Sequence, residues 1–275
     1  MLELEHGFRV TDVNVRLDPD AAPRELAIDG HVLDPAQAER EMHQAGIVRS
    51  VVYPGPRIDG GYLRPNNTIA RHAVDRPFVA FARINGPHDP AGTSLSRLRN
   101  LATSRGEDHT SPDDIERYAY DDRFHGFKLD PSRDGLPDPE VLDQLEDVGL
   151  PVLVHVDEEF PPQAVEAVLI DRGVPTILEH FGGFPLDRNR MDRVLSLLSK
   201  TDRVYVESSA VRYRDVLERA MLEHPDRVLF GSGAPDVHPN VAVMEILTLD
   251  VPEDAMTKAF SKNPARVISA LGSGD

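Results

Sequence analysis

Short apolar runs alternate with longer amphipathic stretches from one end of the chain to the other. Eight of the runs read as strands: Phe8–Val15, Ile47–Tyr53, Phe78–Ile84, Gly126–Leu129, Val152–Val156, Thr176–Leu178, Val204–Glu207 and Val228–Phe230. They are rich in Val, Ile and Phe, and most are continuous rather than strictly alternating, which suits parallel strands buried on both faces. The stretches between them carry helix signals. Asp34-Pro35 opens AQAEREMHQA, closed by Gly46; Asp138-Pro139 opens EVLDQLEDV, closed by Gly149; Asn263-Pro264 opens ARVISAL, closed by Gly272. Ser111-Pro112 opens a short helix with Asp113 and Asp114 in its first turn. Each pairs a polar N-cap with Pro at the first helical position. The Asn66-Asn67 pair reads as another helix start, and Gly182-Gly183 as a close turn after His180.

Eight strands alternating with helices form either a closed (β/α)8 barrel or an open doubly wound sheet. Neither GxGxxG nor GxxxxGK[ST] follows the early strands, which removes the main sign of a nucleotide-binding sheet. The 275 residues suit one α/β TIM barrel. The expectation is a single domain over residues 1–275, with a polar excursion at about 86–123. Composition narrows the partners. A formal net charge of -17 argues against nucleic acid and anionic membranes as partners. With no cysteine, thiolate metal sites and cysteine nucleophiles are excluded. MLELEHGFRV lacks the form of a signal peptide, and no apolar run approaches the roughly 20 residues of a membrane span. The expected location is cytoplasmic, with a homo-oligomer left open.

In a parallel barrel, polar residues at the C-terminal strand ends converge on one mouth. Those ends carry Asp12, Asn14 and Arg16; Lys128 and Asp130; His155, Asp157 and Glu158; Glu179 and His180; Glu207 and Ser208; then Ser232, Asp236 and His238.

From about Phe8 to Ile268 the chain resembles the amidohydrolase superfamily. It is most similar to the compact group related to aminocarboxymuconate-semialdehyde decarboxylase and pyrone dicarboxylate lactonase. The resemblance rests on VTDVNVRL, EMHQAGIVRSVVY, FVAFARIN, GFKLDP, PVLVH, TILEHFGG, RVYVESSA and RVLFGSGAP, in that order. It implies a metal at the mouth, held by His-x-His on the first strand, a His on the fifth and an Asp after the eighth. Here the first-strand positions are Asn14 and Arg16, and the Asp position is Gly233. His155 matches the fifth-strand ligand. His180 matches the sixth-strand His, which in mononuclear members is more often an acid/base than a ligand. A hydrolytic zinc site needs about three protein ligands, and Arg16 adds a permanent cation. The expectation is therefore no cofactor; a divalent ion such as zinc, if bound, would use His155 and His180.

The function expected is hydrolysis or decarboxylation of a small carboxylate, amide or lactone. His180 would be the acid/base, His155 a second proton donor or orienter, and Lys128 an anion anchor, a proton carrier or a partner of Glu207. Asn14, Glu207, Asp236 and His238 would join Arg16 in binding substrate. Arg16 itself is either a scaffold paired with Asp12 or Glu207, or an anion anchor. An inactive barrel that binds a metabolite or protein is the alternative. A third reading is a metallohydrolase using His155 and His180 with Asp236 or His238.

Overall fold

A computed structural model of the chain describes residues 4–18, 26–27, 30–57 and 60–272. All eight predicted strands form. They are β1 (Val10–Leu17), β2 (Ile47–Pro54), β3 (Phe78–Ile84), β4 (Phe124–Leu129), β5 (Val152–Val154), β6 (Thr176–Leu178), β7 (Val204–Glu207) and β8 (Val228–Leu229). They lie in chain order, every neighbouring pair parallel. The segment after β8 brings the sheet back to β1. Val13 N donates to Phe230 O at 2.9 Å, Gly233 N to Asn14 O at 3.0 Å, and Arg16 N to Ala234 O at 2.8 Å. The result is a nearly closed (β/α)8 barrel ringed by helices. A short antiparallel pair, Leu26–Ala27 with Gly30–His31, stands apart from it. No described helix is long and apolar enough to cross a membrane.

Alternation along the strands makes two cores. Val10, Val52, Ala80, Phe127, Val154, Leu178 and Val206 face the helices. Val13, Val51, Val79, Phe81, Leu153, Ile177 and Leu229 fill the barrel, joined by Ile268 and Leu271 from the C-terminal helices. Arg49, near the start of β2, donates to Ala270 O, so these helices close the N-terminal end. Two glycines adjust the packing. A Cβ on Gly126 would lie 2.4 Å from the Phe81 ring, and one on Gly231 would lie 2.0 Å from Glu207 Oε2.

Side-chain caps form at two predicted starts: Asp34 accepts from Ala36 N and Gln37 N, and Ser111 and Asp114 make a capping box. Asp138 takes the N-cap position of Pro139–Val148 but its side chain turns to His88 and makes no cap bond, while Gly149 takes φ +66° as the C-cap. Two predicted starts are corrected. Helix Leu63–Asp75 begins before Asn66, whose buried amide donates to Arg83 O and Tyr118 OH and accepts from Arg83 N. Asn263 lies inside continuous helix and donates to Pro225 O and Val228 O. Both amides tie helix to barrel backbone, which a cap pattern does not reveal. Within 86–123, helix Pro112–Tyr120 packs on β4 and on helix Pro139–Val148 as part of the barrel ring, while Ser94–Ala102 is additional.

Candidate active site

The apolar barrel interior gives way to polar side chains at the C-terminal strand ends. There a cavity of about 630 Å³ is lined by Asn14, Arg16, Tyr53, Lys128, His155, Glu179 and His180, with Phe184 and Asp236 at its rim. A second cavity of about 620 Å³ lies beyond Arg83, beside helix Leu63–Asp75. It contains neither His155 nor His180, so the barrel mouth is the candidate site.

Glu179 ties three strands together. Its Oε2 accepts from His155 Nδ1 at 3.0 Å and lies 2.7 Å from Lys128 Nζ, while Oε1 lies 3.3 Å from the Tyr53 hydroxyl. Burial alone would raise its pKa; the Lys128 charge and the His155 hydrogen bond outweigh burial and hold it well below the usual carboxylate range. The Lys128 ammonium is enclosed and meets Glu179 as a charge pair without an aligned hydrogen bond. Its atom is shut off from the cavity surface, so Lys128 acts on the site through Glu179, and Glu207 is not its partner. Burial, then the Glu179 charge, raises the Tyr53 pKa far above normal, and its hydroxyl donates to Asn14 Oδ1 at 2.6 Å.

A second carboxylate positions the other imidazole. Glu207 is fully buried and accepts from His180 N at 2.6 Å, Ser209 Oγ at 2.7 Å, Ser209 N at 2.8 Å and Asn14 Nδ2 at 3.3 Å. Ser209 Oγ lies 2.8 Å from His180 Nδ1. Because Glu207 takes the serine hydroxyl proton, Nδ1 of His180 is the donor in that contact. His155 likewise donates Nδ1–H to Glu179. Both imidazoles thus have Nδ1 engaged by protein, leaving Nε2 for chemistry. The rings meet edge-to-face at 5.4 Å between centroids, and the Phe184 ring is 5.0 Å from each.

Strand alternation points Glu179 inward with Ile177 and would turn His180 outward. A left-handed turn, φ +52° at His180 and +56° at Phe181, swings the imidazole into the mouth. Arg16 reaches the rim, where both terminal nitrogens lie 3.4 Å from Asp236, a long contact to a carboxylate 61% exposed. The other expected placements differ. Asp12 does not pair with Arg16: alternation with Val10 points it outward, beside Met42 and Ser50, and the register shift that follows, between Asp12 and Val15, turns Asn14 and Arg16 into the mouth instead. Glu207 lies beneath the cavity floor as a hydrogen-bond hub, away from substrate. His238 caps helix Pro239–Leu247, accepting from Asn240 N at 3.2 Å outside the cavity.

Glu179 stands at the mouth, where its strand end predicts it, although the sequence assigns it no role; Tyr53, Ser209 and Phe184 are absent from the sequence-based site. Inward parity would have found Tyr53. Ser209 and Phe184 follow irregular turns and leave no such signal.

His155, Glu179 and His180 each place a donor atom within 4.8 Å of the others, near enough to hold one ion. The expectation of no metal is therefore unsupported by geometry alone. Glu179 Oε2 already faces the Lys128 ammonium and the His155 N–H, so an ion held there would compete with both for that oxygen. Gly233 stands at φ +71°, and a Cβ there would lie 3.0 Å from Ser209 Cβ, so a ligand side chain at this position would need a strained backbone and a shift of Ser209.

An eight-stranded parallel barrel with paired histidines and buried carboxylates at its C-terminal mouth is the architecture of a small-molecule enzyme of amidohydrolase type. The chain belongs to the amidohydrolase family, whose model matches residues 5–269. A comparison with curated proteins returns no match. Among solved structures, 2,6-dihydroxybenzoate decarboxylase from Rhizobium is similar at TM-score 0.66 and 15% identity, over 96% of this chain and 99% of that one. The 5-carboxyvanillate decarboxylase of Sphingomonas paucimobilis matches at TM-score 0.63 and 16% identity, over 96% and 99%. A probable 2-pyrone-4,6-dicarboxylic acid hydrolase from Acinetobacter baumannii, with citric acid bound, matches at TM-score 0.61 and 14% identity, over 96% and 100%. At these identities the likeness is one of fold.

Proposed function

We propose that the protein is an enzyme that decarboxylates a small carboxylate at the barrel mouth by proton transfer, without a tightly held metal ion. The observation that carries this reading is the pair of imidazoles, each with Nδ1 anchored on a carboxylate network and Nε2 left for the cavity, beneath the apolar face of Phe184. Family membership supports an enzyme acting on a small molecule, and the similar folds include two named decarboxylases.

In this mechanism His180 acts as the imidazolium, with Nδ1–H held by Ser209, and gives its Nε2 proton to the unsaturated carbon that bears the carboxylate, whose π electrons form the new C–H bond. The bond to the carboxyl carbon then breaks, its electron pair restores the π system, and carbon dioxide leaves. His180 regains a proton from water, and His155 orients the substrate from the opposite side. Arg16 exchanges its long contact with exposed Asp236 for an anionic group of the substrate, a stronger charge-assisted contact once water is excluded. Lys128 keeps Glu179 ionised, and Glu179 keeps His155 in its tautomer. Phe184 limits water at the reacting carboxylate.

The test uses aromatic and aliphatic carboxylates labelled with ¹³C at the carboxyl group, in deuterated water. Labelled carbon dioxide and one deuterium at the vacated carbon are expected. His180→Asn should lower turnover by about 10²–10⁴-fold while ligand binding persists. Uptake of solvent oxygen without carbon dioxide would make the reaction hydrolytic. Binding without any turnover would favour the inactive-barrel alternative.

A further inference from the structure

The second cavity, of about 620 Å³, has walls of opposite charge that do not touch each other. Helix Leu63–Asp75 turns Arg64, Asn67 and Arg71 to it. At 100° per residue these positions fall within about 60° of arc, and the two arginines stand about 10 Å apart along the axis. Both are exposed, and among the described residues neither guanidinium has a hydrogen bond or an ion pair. In a chain with 47 acidic and 30 basic residues, partners are abundant, and surface arginines elsewhere take them: Arg188 with Asp215, Arg214 with Glu218 and Arg219 with Glu223.

The facing wall is segment 106–110 with helix Pro112–Tyr120. Glu107 and Asp108 line the cavity from it, both exposed, and neither carboxylate has a partner among the described residues. Asp114 of the same wall is committed to Ser111 and Arg117. The segment is fixed in place. Asn85, just past β3, donates Nδ2 to Asp108 O at 3.1 Å and accepts from Thr110 N at 3.0 Å and Thr110 Oγ1 at 2.9 Å. A Cβ on Gly61 would lie 2.7 Å from Asp108 O, so the segment leans on the start of the arginine helix. Two uncommitted donors complete the lining. Tyr118, 5% exposed, accepts from Asn66 Nδ2 at 3.1 Å, and its own proton has no acceptor among the described residues. His109 Nδ1 accepts from Gly106 N at 2.9 Å, which leaves the proton of the neutral ring on Nε2. Arg83 adds no free charge, because Asp130 and Asp134 take its guanidinium.

We propose that this cavity is a second binding site, apart from the barrel mouth, for a small zwitterion of the amino-acid class. The ligand's carboxylate pairs with Arg64 and Arg71, whose planar forks suit that group, and its ammonium pairs with Glu107 and Asp108. It bridges two charged walls that the protein leaves unpaired, through charge-assisted contacts at both ends. A carboxylate alone would leave the acids unanswered, in a chain whose net charge of -17 already disfavours anions. An ammonium alone would leave the arginines so. The volume falls among those of small-molecule sites. The two cavities share Arg83 alone among their lining residues, so this site is independent of the chemistry at the mouth.

An NMR titration of the full chain, read at the histidine imidazoles, tests this. The probes are L-alanine, L-glutamine and 4-aminobutyrate, against butyrate and butylamine, which carry one charge each. At least one zwitterion should shift the His109 signals saturably while those of His155 and His180 stay in place. Butyrate and butylamine should bind at least tenfold more weakly. The double variants Arg64→Gln/Arg71→Gln and Glu107→Gln/Asp108→Asn should each weaken binding at least tenfold. Thermal unfolding should not change, because these four side chains hold nothing in place. No saturable shift at His109 with any of the three zwitterions, or binding that survives both double variants, would overturn the proposal. Butyrate binding as tightly as the zwitterions, and indifferent to the Glu107/Asp108 variant, would overturn it in favour of a plain anion site.

Discussion

Glu179 and Lys128 form a buried pair in which each charge depends on the other. Glu179→Gln leaves an ammonium enclosed beside a neutral amide, and removing one partner of such a pair typically costs about 3–5 kcal/mol. Denaturant unfolding should show that loss, with Lys128→Met/Glu179→Gln recovering part of it. Asp12 makes a second prediction. Burial first, with the Glu207 charge adding, raises its carboxyl from 3.8 to about 7, against hydrogen bonds from Ser232 and Asn14 that lower it. The folded chain thus keeps this proton between about pH 4 and 7 while the unfolded chain loses it, so stability falls as pH rises through that window and levels off above it. A shift of that size corresponds to on the order of 4 kcal/mol. Asp12→Asn keeps an acceptor for Asn14 N and Ser232 N without the charge. The variant should be distinctly more stable than wild type at pH 8 and similar at pH 4; parallel thermal-unfolding profiles across pH would refute this.

At the scale of elements, the turn after β6 and the end of β8 together set the His180 imidazole. Glu207 can sit beneath them because Gly231 has no side chain. Gly231→Ala places a methyl 2.0 Å from Glu207 Oε2. The carboxylate must then move off His180 N and Ser209, in a region already close-packed. A loss of about 1–3 kcal/mol is expected, with the His180 imidazole NMR signals shifted far more than those of His238. Equal shifts at both residues would mean the effect is not local. Glu179 and Tyr53 were readable from the same alternation that builds the barrel core. His180 reaches the mouth only because a left-handed turn breaks it, so its agreement with the resemblance came by family pattern and not by periodicity.

For the whole molecule, the mouth holds its buried acidic groups by hydrogen bonds and two buried cations, Lys128 beside Glu179 and Arg83 beside Asp130, with an Nε2 left on each imidazole. Protein purified with neither added metal nor chelator should carry well under one zinc per chain by elemental analysis. Near-stoichiometric zinc, lost on His155→Ala or His180→Ala, would overturn the metal-free reading and restore that of a metallohydrolase.

The order of strands, their parallel burial and the caps at Asp34 and Ser111 were set by local pattern, because continuous apolar runs and polar-residue–proline starts act over a few residues. So were the strand ends that carry His155, Lys128 and Arg16. Tertiary structure decided the rest. Closure brings Glu207 on β7 to Asn14, while a register shift in β1 beyond Asp12 turns Asn14 and Arg16 into the mouth. Contacts between strands choose the partners, Glu179 with His155 24 residues away and Glu207 with Asn14 193 residues away, and no local periodicity encodes them.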